Sequence, residues 1–107
     1  MRANKLKQIW ASGKAATNCW LMLPTAIAAE MLAHQGWDSL TVDQQHGQAD
    51  HAAMVAMLTA ISTTDATPLV RVKWNDPGDI MRALDAGAYG VICPMIETAE
   101  DCARFVG

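Results

Sequence analysis

No stretch of this chain approaches the roughly 18 consecutive apolar residues of a membrane span, so its 51% hydrophobic content points to a packed core. No basic block occurs either. Eight Lys and Arg against eleven Asp and Glu give a net charge of -3, without the electrostatic footprint of a nucleic-acid or anionic-membrane partner. Cysteine is scarce and ungrouped. Cys19, Cys93 and Cys102 are odd in number and lack CxxC spacing, which argues against a disulfide framework or zinc site and for a reducing cytoplasm. The charges of Arg2, Lys5 and Lys7 are followed by Ser12-Gly13-Lys14 and not by a long apolar run, which argues against a signal peptide. At 107 residues the chain suffices for one domain and not two.

What is there alternates. Asn4 to Ala11 reads as a short helix ended by Ser12-Gly13, and Thr17 to Leu23 as a first strand buried on both faces. Pro24-Thr25 opens a helix whose buried stripe is expected at Ile27, Ala28, Met31 and Leu32, with Gly36 as its left-handed close. Trp37 to Asp43 is the second strand, and Asp50 caps a helix burying Met54, Met57, Leu58 and Ile61. Pro68 to Val72 is the third strand. Asn75-Asp76-Pro77 starts a helix with Ile80, Met81 and Leu84 buried and Gly87 at its end. Tyr89 to Cys93 is the fourth strand, and Thr98 to Asp101 resembles a capping box.

Strand and helix thus alternate four times without a hairpin signal, which specifies a parallel sheet with helical crossovers. Four such units suit either a small doubly wound sheet or the first half of an eight-fold barrel. Leu23-Pro24-Thr25 stands where a glycine-rich phosphate loop would follow strand one, which lowers the nucleotide-binding option and favours the α/β half-barrel.

The chemistry collects at the ends of these strands. Leu40-Thr41-Val42 suits a crowded strand, whereas Asp43-Gln44-Gln45-His46-Gly47 suits a polar loop mouth. His46 can move a proton near neutrality, and Asp43, three positions away, either orients its ring or sits beside it. The bland alternative makes His46 a loop cap. Arg71 either points out of a sheet edge or faces an anion at the end of strand three. In the second case it can grip a carboxylate through two parallel hydrogen bonds. In a barrel Asp43, Gln45, His46, Arg71 and the Pro94-Met95 corner would open on one face, which suggests proton abstraction or carbon-carbon bond chemistry on a small keto acid. His34 and His51 fall in helices and read as surface residues.

Asp43-Gln44-Gln45-His46-Gly47, Pro68-Leu69-Val70-Arg71-Val72, Trp74-Asn75-Asp76-Pro77, Leu84-Asp85-Ala86-Gly87-Ala88 and Val91-Ile92-Cys93-Pro94-Met95 occur in order. Together they resemble the HpcH/HpaI aldolase family of the phosphoenolpyruvate/pyruvate barrel superfamily, from about Lys5 to Gly107. The resemblance implies a metal-dependent class II aldolase that cleaves a 4-hydroxy-2-keto acid to pyruvate or a related 2-keto acid and an aldehyde. It makes His46 the general acid/base, Arg71 the clamp on the keto acid, Asp85 the partner of the catalytic histidine and Asp43 the acid ending strand two. Asp85 also fits a plain helix-end residue before Gly87. Gln45 departs from the glutamate of many members. The family's metal-binding Glu and Asp, for Mg²⁺, Mn²⁺ or Co²⁺, are expected beyond Gly107, and Glu97 does not match them.

Residues 1–107 are therefore expected to be a single partial domain, the N-terminal half of such a barrel, self-associating or only loosely folded and catalytically silent alone. Relatives commonly form homo-oligomers, as trimers of dimers. Two competing expectations are a CoA-ester lyase of the same superfamily, for which no basic phosphate groove is visible, and a non-catalytic half-barrel assembly module.

Overall fold

The computed structural model describes residues 3–107, so Arg2, one of the N-terminal charges, lies outside the described residues. Along them run α1 (Lys5–Ala11), β1 (Asn18–Leu21), α2 (Ala26–Ala33), β2 (Ser39–Asp43), α3 (His51–Ile61), β3 (Thr67–Arg71), α4 (Pro77–Asp85), β4 (Gly90–Ile92) and α5 (Ala99–Val106).

Short polar side chains set most of the helix starts, because the first amides of a helix have no partner within it. The Asn4 side chain accepts from Leu6 and Lys7, Asp50 from Ala53 and Asp76 from Asp79, with Pro77 already preset for the first helical position. Thr98 and Asp101 form a complete capping box at α5. Asn4 also donates through Nδ2 to the Tyr89 carbonyl at 3.0 Å, which ties α1 to the entry of β4.

All four strands are parallel and lie in the order β1-β2-β3-β4. An order that never reverses has no switch point of the doubly wound kind, so the sheet is an α/β fold like half of a TIM barrel. Register divides it into two faces. Cys19, Leu21, Leu40, Val42, Val70 and Val91 meet Met54, Met57, Leu58, Ile61, Ala29 and Ala33 in the core beneath the helices. The inner face carries Asn18, Ser39 and Thr67 in one row, Trp20, Thr41, Leu69 and Gly90 in the next, and Asp43, Arg71 and Ile92 at the C-terminal edge.

Three expectations are corrected. The first strand is shorter than Thr17 to Leu23 and, among the described residues, is buried on one face alone, with Asn18 and Trp20 exposed on the open inner face. In α2, Ile27 and Met31 are 72% and 66% exposed, while Ala29 and Ala33 are buried. Ala26–Ala33 is apolar almost all round, so composition gives its buried face no phase, and small residues allow close approach to the sheet and α3. In α4 the buried residue is Ala83, Ile80 is half-buried, and Met81 and Leu84 are exposed. Here too the alanine, which permits the closer approach, sits at the contact. The α3 stripe is buried as expected at all four positions.

Candidate functional site

β2 ends on Asp43 and β3 on Arg71, and the register sets them side by side on the inner face. Arg71 Nε donates to Asp43 Oδ1 at 2.9 Å, and Nη2 to Oδ2 at 2.5 Å. β3 has a neighbour on each side, so of the two alternatives for Arg71 the structure has the one facing an anion. The pairing is side-on and uses two of the guanidinium's five N–H donors, and among the described residues the end-on N–H of each Nη has no partner.

Asp43 does more than hold Arg71. Its Oδ1 also accepts from the backbone amides of Gln45 at 2.9 Å and His46 at 3.3 Å, and its Oδ2 from Trp20 Nε1 at 3.0 Å. Burial alone would raise its carboxyl, but these donors, Arg71 first, outweigh burial and hold it well below the usual carboxylate range. An oxygen pair so occupied does not shuttle protons; it shapes the loop that presents His46. The His46 side chain is exposed and Gln45 half-buried.

The loop closes tightly over β2. Gln44 N–H donates to the Arg71 carbonyl at 2.9 Å, and Gln48 N–H to that of Met22 at 3.0 Å. A Cβ on Gly47 would stand 2.1 Å from the Asp43 carbonyl oxygen, so only glycine lets the chain pass there. Gly47→Ala is accordingly expected to lower stability by about 1–3 kcal/mol through forced backbone displacement, read as a lower urea midpoint at unchanged m-value. A midpoint equal to wild type would show that the loop yields freely.

At the same edge, beyond β4, Met95 has φ +56°, a left-handed conformation uncommon for a residue with a side chain. The Pro94-Met95 corner thus joins Asp43, Arg71 and the His46 loop at the C-terminal ends of the strands. Asp85 does not. It ends α4, which runs back across the sheet, and is followed by Gly87 at φ +101° and the entry to β4. Exposed at the opposite edge, Asp85 is not brought to His46 within this chain.

The described residues do not by themselves fit a divalent ion. No group of three His, Cys, Asp or Glu side chains is placed to hold one, the Asp43 oxygens are taken, and Glu97 is exposed beyond β4. No helix among the described residues is long and apolar enough to cross a membrane.

One participant escapes a reading of the sequence alone, Trp20. Trp20 lies in an apolar run where nothing marks it off from core residues. Only the pairing Trp20↔Thr41, one row below Asp43 on the same face, reveals it.

The model of the HpcH/HpaI aldolase/citrate lyase family matches residues 16–106. The hydroxypyruvate/pyruvate aldolase of Rhizorhabdus wittichii is 45% identical over 98 residues, which are 92% of this chain and 39% of that protein. The 5-keto-4-deoxy-D-glucarate aldolase of Salmonella paratyphi A is 36% identical over 103 residues, covering 96% of this chain and 40% of the relative. Among solved structures, an HpcH/HpaI aldolase/citrate lyase family protein from Burkholderia cenocepacia superposes with a TM-score of 0.90 at 39% identity, covering 97% of this chain and 42% of its own. The chain thus spans about 40% of the length of the curated relatives it matches.

Proposed function

Because the chain belongs to the HpcH/HpaI aldolase/citrate lyase family, we propose that it supplies the carboxylate-binding and proton-handling side of a carbon-carbon lyase acting on a 4-hydroxy-2-keto acid. The observation that carries this is Arg71: its side-on donors are fixed by Asp43, and its end-on donors remain for a second carboxylate. A 2-keto acid offers its carboxylate and adjacent keto oxygen as such a planar acceptor. With that end gripped, His46 takes the proton of the C4 hydroxyl. The C3–C4 bond breaks, its electron pair passes to the enolate of the keto acid, and the aldehyde leaves. Return of a proton to C3 gives pyruvate or a related 2-keto acid.

Dependence on a divalent metal such as Mg²⁺, Mn²⁺ or Co²⁺ belongs to the same proposal, with the ion's carboxylates supplied from outside these residues. So do a homo-oligomeric state and a cytoplasmic location. The names of the aldolase relatives support the substrate class, and Asp85, at the far edge of the sheet, keeps only the support of the resemblance for a part in catalysis.

The test is release of pyruvate or another 2-keto acid from a panel of 4-hydroxy-2-keto acids, by the complete gene product carrying residues 1–107, with each of the three metals. Release from none of them would sink the proposal. Arg71→Lys sharpens it. An ammonium cannot hold Asp43 side-on and a keto acid end-on at once, so the inhibition constant for pyruvate is expected to rise about 10- to 100-fold while the melting temperature falls. Equal inhibition of both proteins would remove Arg71 from the binding site.

A further inference from the structure

Trp20 touches both members of the ion pair between buried Asp43 and half-buried Arg71. Its indole N–H reaches Asp43 Oδ2 at 3.0 Å, and its ring lies 4.9 Å from the Arg71 guanidinium carbon. Trp20 is 41% exposed on the open inner face of the half-barrel, so these two contacts and not close packing define its surroundings within the described residues. It sits a row below Asp43 on the inner face and leans along the strand toward the C-terminal edge to make both contacts. We propose that Trp20 is a positioning residue for Arg71, holding the far oxygen of Asp43 with its N–H while its ring face fixes the guanidinium plane, so that the end-on N–H fork faces an incoming carboxylate.

The need for a third group follows from the pair itself. Asp43 Oδ1 is anchored by the backbone of Gln45 and His46, but among the described residues Oδ2 meets only Arg71 and Trp20. Without the indole N–H, Oδ2 and the guanidinium can swing together about Oδ1. Without the ring, one side of the guanidinium opens to water, and the attraction between cation and aromatic face is lost.

The proposal rests on the keto acid reading, and its test separates the two. In ligand-free protein, proton exchange at Arg71 Nε–H, followed by nitrogen-edited NMR, is expected to accelerate about fivefold in Trp20→Phe, which keeps a ring but no donor. It should accelerate further in Trp20→Leu, which keeps neither. Pyruvate inhibition of the complete gene product should weaken about 3- to 30-fold in Trp20→Leu, partly rescued in Trp20→Phe. In an Arg71→Lys background, Trp20→Leu should weaken it no further, because the effect acts through Arg71. Exchange unchanged in both variants, or the same loss of inhibition with and without Arg71, overturns the proposal. Accelerated exchange in a protein that neither binds nor releases a keto acid would instead sink the keto acid reading and leave the hold of Trp20 on Arg71 standing.

Discussion

Asp43→Ala lowers the free energy of unfolding by about 3–5 kcal/mol, because it strands the Arg71 cation against a buried wall and frees two loop amides and an indole N–H at once. Against a total of roughly 5–15 kcal/mol for a domain of ordinary stability, that loss brings a protein at the low end of the range close to its unfolding midpoint. Asp43→Asn retains the shape and removes the charge, and is expected to lose less. Acid exposes the same term. The folded-state pKa of Asp43 is depressed below its unfolded value near 4, so the unfolded chain binds the extra proton. Its contribution is full above about pH 5 and fades as the pH falls through 4 toward the folded value.

Asp38 and Asp101 are also lowered, by hydrogen bonds from Thr17 and Thr98 respectively, and would blur a wild-type acid titration. The difference between wild type and Asp43→Asn isolates Asp43. Urea melts at pH 7, 5 and 3 should show that difference shrinking; one constant over this range would mean that the carboxyl is not held ionised by its neighbours.

His46→Ala is expected to do the opposite, sparing the fold and removing the chemistry. The side chain is exposed, and its link to Asp43 runs through the backbone amide, which alanine also has. The melting temperature should therefore move little, while kcat for cleavage of a 4-hydroxy-2-keto acid by the complete gene product falls about 10²- to 10⁴-fold. Activity within a few-fold of wild type would leave His46 as a loop residue, the plainer of its two readings.

The fold was legible because its signals are local. Caps at Asp50, Asp76 and Thr98, the turn glycines Gly36 and Gly87, and the stripe Met54, Met57, Leu58 and Ile61 are each contained in one short window. The failures came where burial depends on which elements meet. The exposure of Met31 and Met81 is decided by how closely an alanine-bearing helix can approach its neighbour, and no window of sequence contains that distance. The site divides in the same way. Asp43, His46 and Arg71 announce themselves as polar residues ending apolar strands, and only strand register tells that the first and last are partners. Asp85 is at the other limit: a motif match carried it to the site, and the direction of α4 places it at the far edge.

The manner in which Asp43 recognises its loop bears on how this scaffold can diverge. At positions 45 and 46 the carboxylate contacts main-chain N–H groups alone, and any residue except proline provides those. Substitutions there can accumulate without unfolding the protein, so glutamine and glutamate are interchangeable at 45 as far as this anchor is concerned. Positions 20, 43 and 71 are bound to one another through their side chains. A change in one strands the others, and replacement has to be concerted. Mutational tolerance should accordingly drop within two codons, from permissive at 45 to epistatic at 43, and a lineage can retune its reactive loop while the ion pair beneath it stays frozen.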